Sequence, residues 1–357
     1  MPKSPSPIQV TPSLDPKPWG GRRLADWGID VPAGAAIGEA HLAAPGAIVA
    51  SGVLAGLSLG ELARRDPGAW IGARGLEATG GHHMFPLLIK LIAGETDLSI
   101  QVHPDNRAAA AAGLGTGKTE AYHVLSAAPE HDIYLGLAPG ATMEALAAAC
   151  RHADGSAANL LRRVPATPGM TILIPAGTVH ALGAGITVYE IQQPSNTTFR
   201  LDDWGRVDDL GRTRQLHHDE GLAVVDIRLH PEPIAPVVIE NDASSRALLV
   251  ATRYFALERI VVNDVVTLAG VDSPQVVTVI AGNASLEAAG WDASISLGET
   301  VIVPSGLASR LTGAEDAVLL RGWVPDLERD VIGPARAMRA TDEAIRQLGA
   351  DLPRKSC

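Results

Sequence analysis

Along most of this chain apolar residues come in runs of about five to eight, often alternating with polar ones and broken by glycine and proline. That is the signature of strands and turns rather than helices. "MTILIPAGTVHALGAGITVYEIQQ", for example, reads as strand, turn, strand. Such text fills most of 37–238, and a second β series begins at "RYFALERIVV" and continues through "PQVVTVIAGNASLEAAG", "ETVIVPSG" and "DAVLLRGWV". Two alanine- and leucine-rich stretches, about 104–115 and 141–164, carry helical spacing and are predicted as helical insertions. The pattern predicts a mainly β protein of sandwich or jelly-roll type. It divides into a first domain over 1–240, a smaller β domain over 241–328 and a helical tail over 329–357.

The stretch "LSIQVHPDN" at 98–106 sharpens this picture. Leu98, Ile100, Val102 and Pro104 are expected to face one way, and Ser99, Gln101, His103 and Asp105 the other. A half-solvated strand would need no further explanation, so the question is what that polar side faces.

Composition narrows the classes. With 357 residues, 46% of them hydrophobic, the chain can bury a large core. A formal net charge of −11 argues against nucleic-acid and anionic-membrane partners, while leaving room for a small anion in a local basic pocket. The two cysteines, Cys150 and Cys357, form no CxxC and support neither a disulfide framework nor a thiolate metal site. There is no apolar run of membrane-span length and no signal-peptide core, so a cytoplasmic location is expected.

"AGLGTGKT" at 112–119 nearly matches a phosphate-binding loop, but its context is inverted: a helical stretch enters it and a strand leaves. A turn is the better reading. The stronger signal is Gln101 and His103 on one strand face, with Glu120 opening a later strand and His180 closing "IPAGTVHALG". Two imidazoles, a carboxylate and an amide oxygen suit a divalent transition metal, most plausibly zinc. A single strand histidine is more often hydrogen-bonded than ligating, and His82, His83, His123, His217 and His218 are read that way.

"FPLLIKLI", "DLSIQVHPDN", "GKTEAYHVL", "IPAGTVHALGAGI" and "EIQQPSNTTFRLDDWGR", in this order, resemble the type I mannose-6-phosphate isomerases in their short bacterial form, a zinc-dependent cupin family. The match spans most of 16–260. The resemblance implies two cupin-like jelly-roll barrels, with the polar side of "LSIQVHPDN" inside the first. It implies one Zn2+ per chain on Gln101, His103, Glu120 and His180, Ser99 and Lys118 at the substrate phosphate, and Arg200 as the catalytic arginine. Glu190 corresponds to a conspicuous family glutamate, read here as a base or as a barrel salt-bridge partner. The implied reaction interconverts mannose 6-phosphate and fructose 6-phosphate through a cis-enediol.

The chain departs from the family at three places: Asn196 stands where many relatives have aspartate, "GEAHL" with His41 and Leu42 replaces a "GESWE"-like segment, and "AYHV" follows the Glu120 region. These departures leave room for a related free or anionic sugar. Rival readings are an iron-dependent cupin oxygenase built on His103, Glu120 and His180, and a non-catalytic sugar-binding cupin. The sequence assigns neither the identity of the general base nor an oligomeric state.

Overall fold

The computed structural model describes residues 5–208, 210–313, 316–349 and 351–352. The chain is mainly β, as the alternation predicts, and its strands form four antiparallel sheets stacked as two sandwiches. In the first, a seven-stranded sheet runs Pro233–Ile234, Thr171–Ile174, Glu120–Ala127, Ile186–Gln192, Leu88–Ala93, Ile37–Ala43, Ser13–Gly21. It faces a five-stranded sheet ordered Phe199–Asp202, Ile100–Val102, His180–Leu182, Asp132–Leu137, Leu161–Pro165. Between them lies an apolar core that includes Ile92, Leu98, Val124, Leu135, Ile172 and Val188. In the second sandwich, an eight-stranded and a four-stranded sheet enclose Ile260, Val277, Leu286, Ile295 and Leu319.

The outer face of the seven-stranded sheet meets the eight-stranded sheet across the largest core, where Leu91, Tyr189 and Ile191 share a cluster with Leu257, Leu320 and Trp323. Gly322 makes this approach possible, since a Cβ there would stand 2.8 Å from Ile191 Cδ1. The strand Ile8–Thr11 does not join the first sandwich. It pairs with Thr300–Val303 and with Ile48–Val49, so residues before 240 contribute to both sandwiches. The pairing covers what would otherwise be an open row of backbone donors and acceptors on Thr300–Val303.

The helical insertions are shorter than their composition suggests. Asn106–Ala111 forms a single helix capped by the Asp105 carboxylate, which accepts from Ala108 N at 2.7 Å. In the second stretch only Met143–His152 is α-helical; Ala153 and Gly155 turn through positive φ, and Leu161–Pro165 becomes a strand against Asp132–Leu137. The segment 59–78, not expected to be helical, folds into the helices Leu59–Arg65, Pro67–Trp70 and Gly72–Ala78. Its readable signal is the reciprocal Ser58–Glu61 capping box. The tail forms turns and helices over Leu327–Ile332, Gly333–Ala337 and Asp342–Gln347 and buries Val331, Ile332, Ala335 and Ile345 in the largest core. Among the described residues no helix is long and apolar enough to cross a membrane.

Candidate active site

The register of the five-stranded sheet places Gln101 between His180 on one side and Arg200 on the other. Ile100 and Val102 point outward into a layer with Leu146, Phe199 and Leu201, and Ser99, Gln101 and His103 face the sandwich interior. Leu98, expected on the outward face, instead packs in the interior core, because it precedes the strand Ile100–Val102 and the alternation does not extend to it. On the opposing sheet Glu190 is paired with Lys90 and with Tyr122, and Gln192 with Glu120. The two sheets thus bring residues from "QVH", "GKTE", "TVH" and "VYE" together across the sandwich. Gly177 supports the arrangement: at φ +91° it donates its backbone N–H to His103 O at 2.8 Å.

His103, Glu120 and His180 are buried, and one ligand atom of each lies within 4.8 Å of the others. Nδ1 of His103 donates to Thr197 O at 3.0 Å, and Nδ1 of His180 to Thr178 O at 2.9 Å. A carbonyl can only accept, so in the neutral rings both Nε2 atoms carry lone pairs, and these point at Glu120. His180 Nε2 lies 3.0 Å from one carboxylate oxygen and His103 Nε2 3.4 Å from the other. Both Glu120 oxygens are buried; Oε1 has no hydrogen-bond partner, and Oε2 is ion-paired only with Lys118. Acceptors converging on acceptors in a dry interior call for a cation. Two imidazoles held by backbone carbonyls, plus a carboxylate, fit a divalent transition metal. Gln101 is adjacent: its amide nitrogen is 3.3 Å from His180 Nε2, and its oxygen accepts from Ser99 Oγ at 3.3 Å.

Lys118 is buried against this cluster, its Nζ 2.5 Å from Glu120 Oε2, 3.2 Å from His103 Nε2 and 3.7 Å from Glu190. Burial, followed by the Lys118 charge, pushes His103 down to about 3. Burial works the other way on Glu120, but Lys118 and the two histidines outweigh it and keep the carboxylate ionised. Glu190 differs: burial raises its pKa, and Glu120 adds to the rise, against the pull of Lys118 and Lys90.

A cleft of about 250 Å³ opens beside the cluster, lined by Ser99, Gln101, Lys118, Glu190 and Arg200. The same cleft holds residues that sequence reasoning missed: Lys17, Trp19, Glu39, Lys90, Thr198 and Arg214. Lys90 had a readable signal as the one charge in the buried strand "LIKLIA". It lies 3.1 Å from Glu39 and 3.5 Å from Glu190, whose charges outweigh burial and hold it cationic. His41 lies 3.0 Å from Glu39 behind this wall, and Asn196 lines the cleft directly. Cys150 and His123 are buried away from the cluster, and His123 bonds to Thr171 Oγ1 at 2.9 Å.

No protein-family model matches the chain. It is 30% identical over 308 residues to the mannose-6-phosphate isomerase of Streptococcus mutans, covering 85% of this chain and 94% of that protein. With a Bacillus subtilis mannose-6-phosphate isomerase it shares 29% identity over 319 residues, covering 88% and 98%. The crystal structure of a mannose 6-phosphate isomerase from Bacillus subtilis superimposes with a TM-score of 0.78 at 28% identity, over 89% of this chain and 99% of that one.

Proposed function

The chain belongs to the mannose-6-phosphate isomerase family, and from that premise we propose that its cleft interconverts mannose 6-phosphate and fructose 6-phosphate. The observation that carries this reading is the buried His103–Glu120–His180 set beside a cleft that is lined by an arginine and a raised-pKa carboxyl. His103, Glu120 and His180 would hold one zinc ion, with the Gln101 side chain beside them as a neutral fourth donor. When bound, such an ion polarises and aligns the sugar's carbonyl and hydroxyl oxygens.

The chain's own residues supply the proton chemistry. Aldose and ketose interconvert when the proton on the carbon beside the carbonyl is removed and returned to its neighbour through a cis-enediol. Glu190 is placed for that exchange: it is buried, one of its oxygens has no hydrogen-bond partner, and burial brings its pKa upward toward working pH. Lys90 and Lys118 flank it at 3.5 and 3.7 Å and stabilise the carboxylate form, so the group can both take and give the proton. Arg200 adds a fixed cation on the facing sheet for the negative charge that develops as the enediol forms. Ser99 and Lys118 stand at the floor, where they meet substrate oxygens.

The direct test is a coupled assay of fructose 6-phosphate formation. Turnover should vanish on chelation and return with zinc, and a metal-loaded protein that turns over no mannose 6-phosphate would overturn the reading.

A further inference from the structure

We infer that Arg214, carried by the loop after the arginine strand, is the anchor for the phosphate end of the substrate, and that Lys118 is not. The inference rests on the isomerase reading above and adds a residue to it. An open-chain hexose 6-phosphate carries its reacting carbons and its phosphate at opposite ends. Lys118 stands 2.5 Å from Glu120 and 3.2 Å from His103, within the cluster that the reacting end must approach. One ammonium cannot serve both ends of the chain at once.

The cleft has a second cationic wall, formed by Asn196, Thr198, Arg200 and Arg214. Amide, hydroxyl and two guanidiniums can all donate hydrogen bonds, and no carboxylate from these segments lines the cleft. Behind the wall Asp203, almost fully buried, accepts a forked pair from Arg214, with Nε at 2.7 Å, and lies 3.0 Å from Arg206. Arg200 feels Arg214 and Arg206 as like charges and Asp203 as the opposing one. Arg206 feels Asp97 as well as Asp203, which leaves Asp203 as the carboxylate that Arg200 and Arg214, the two guanidiniums lining the cleft, have between them. Arg206 is engaged at all three nitrogens, with Nη2 on the Asp203 carboxylate, Nε on Asp203 O at 3.1 Å and Nη1 on Thr96 Oγ1 at 3.4 Å, whereas the buried Nε of Arg200 has no hydrogen-bond partner among the described residues. Two guanidiniums on one cleft wall with a single carboxylate behind them, in a protein of net charge −11, are the chemistry of a dianion subsite.

The loop is built to hold Arg214 still. Val207 and Thr213 form a β-bridge, and Asp208 accepts from Leu210 N and Arg212 N at 2.9 Å each. Arg200 donates to Gln215 O at 2.8 Å, and His217 N donates to Arg200 O at 2.8 Å, which fastens the returning segment along the strand Phe199–Asp202. The Asp203 fork engages Nε and one terminal nitrogen of Arg214, leaving the other for the cleft.

The test uses the metal-loaded full chain, with inorganic phosphate as the probe. Arg214→Gln should raise the KM for mannose 6-phosphate and weaken phosphate as a competitive inhibitor roughly 10- to 100-fold, with kcat close to wild type. Lys118→Gln should instead lower kcat and metal content and leave phosphate inhibition unchanged. Unchanged phosphate inhibition in Arg214→Gln, or a large loss of it confined to Lys118→Gln, overturns the assignment. If Arg214→Gln loses its thermal transition because Asp203 has lost its fork, Arg214→Lys carries the test: it should bind phosphate severalfold more weakly, and unchanged affinity overturns the inference. A wild type inactive on mannose 6-phosphate would sink the isomerase reading alone, because calorimetric phosphate binding to wild type and Arg214 variants still decides the anchor.

Discussion

Each of the two sandwiches buries a glutamate completely, Glu120 in the first and Glu258 in the second, and their surroundings are opposite. Glu258 is enclosed by donors. Arg246 reaches both its oxygens at 3.0 and 3.2 Å, and Arg321 donates to one at 2.9 Å. Arg321 is itself secured by Gln275 Oε1 at 2.7 Å and lies 4.2 Å over the Trp323 ring. Burial raises the Glu258 pKa, but the two guanidiniums outweigh it, and the carboxylate stays ionised. Glu120 faces two imidazole nitrogens and one lysine: Oε2 is paired with the Lys118 ammonium, and Oε1 has no hydrogen-bond partner. A buried carboxylate costs several kcal/mol unless its lone pairs are matched. The second sandwich matches them on both oxygens with its own guanidiniums, whereas the first supplies one lysine to Oε2 and leaves Oε1 facing an imidazole nitrogen. The difference separates a structural ion pair from a site.

Exchanging the two acids for amides should break or confirm that contrast. Glu120→Gln should abolish metal retention and cut turnover on the order of 10³-fold or more, with a smaller loss of metal-free stability than at Glu258, because Lys118 keeps Glu190 at 3.7 Å. Metal content, initial rates and thermal unfolding read all three. Glu258→Gln should do the reverse: a loss of about 3–5 kcal/mol in urea unfolding, because Arg321 is left buried and undercompensated, with normal activity per folded molecule. Equal destabilisation by the two substitutions would erase the distinction.

His123 sharpens the comparison as a buried group that is neutral rather than paired. Burial, and then Arg259, push its pKa from 6.5 down to about 4. The unfolded chain takes up a proton below about 6.5 that the folded chain refuses until about 4, so stability falls as pH drops through that window. The shift corresponds to about 3 kcal/mol, and His123→Asn should flatten the unfolding profile between those limits. An unchanged slope would show that His123 does not carry the effect.

Glu190→Gln should lower kcat by on the order of 10²-fold with metal content intact, and near-normal turnover would return Glu190 to a salt-bridge role. The smallest effect is expected at Tyr254, whose hydroxyl accepts from Asn106 Nδ2 at 3.1 Å. The Asn106 oxygen in turn accepts from Gly117 N at 2.8 Å and Gln193 Nε2 at 3.0 Å, beside Lys118. Tyr254→Phe should cost about 1 kcal/mol or less in stability and leave metal affinity nearly unchanged. A clear drop in zinc affinity would show that the site depends on the second sandwich.

Much of the cleft was readable because strand alternation is local. Ser99, Gln101 and His103 point inward for the same period-2 reason that Ile100 and Val102 point outward. Lys90 and Arg214 were harder to read. Lys90 sits in a strand buried on both faces, where alternation carries no sign, and its meaning comes from Glu190 and Glu39 on neighbouring strands. Arg214 lies in a loop whose direction is set by a β-bridge and an aspartate eleven residues upstream. The helices at 59–78 went unread because "GELARRDPGAWIGARGLEA" is broken by glycine and proline into pieces of four to seven residues, too short to show a period.

By itself the sequence determined that this chain is mainly β, that Ser99, Gln101 and His103 share one polar strand face, and which residue types could bind a cation. Those features follow from side-chain chemistry and from a period that any strand must obey. Tertiary structure decided that Ile8–Thr11 joins the second sandwich, that Lys118 pairs with one oxygen of Glu120, and that Glu258 has donors on both oxygens while Glu120 Oε1 has none. Each of these depends on partners far apart in the chain, and only the packing of two sheets face to face selects which buried charges meet and which remain unmatched.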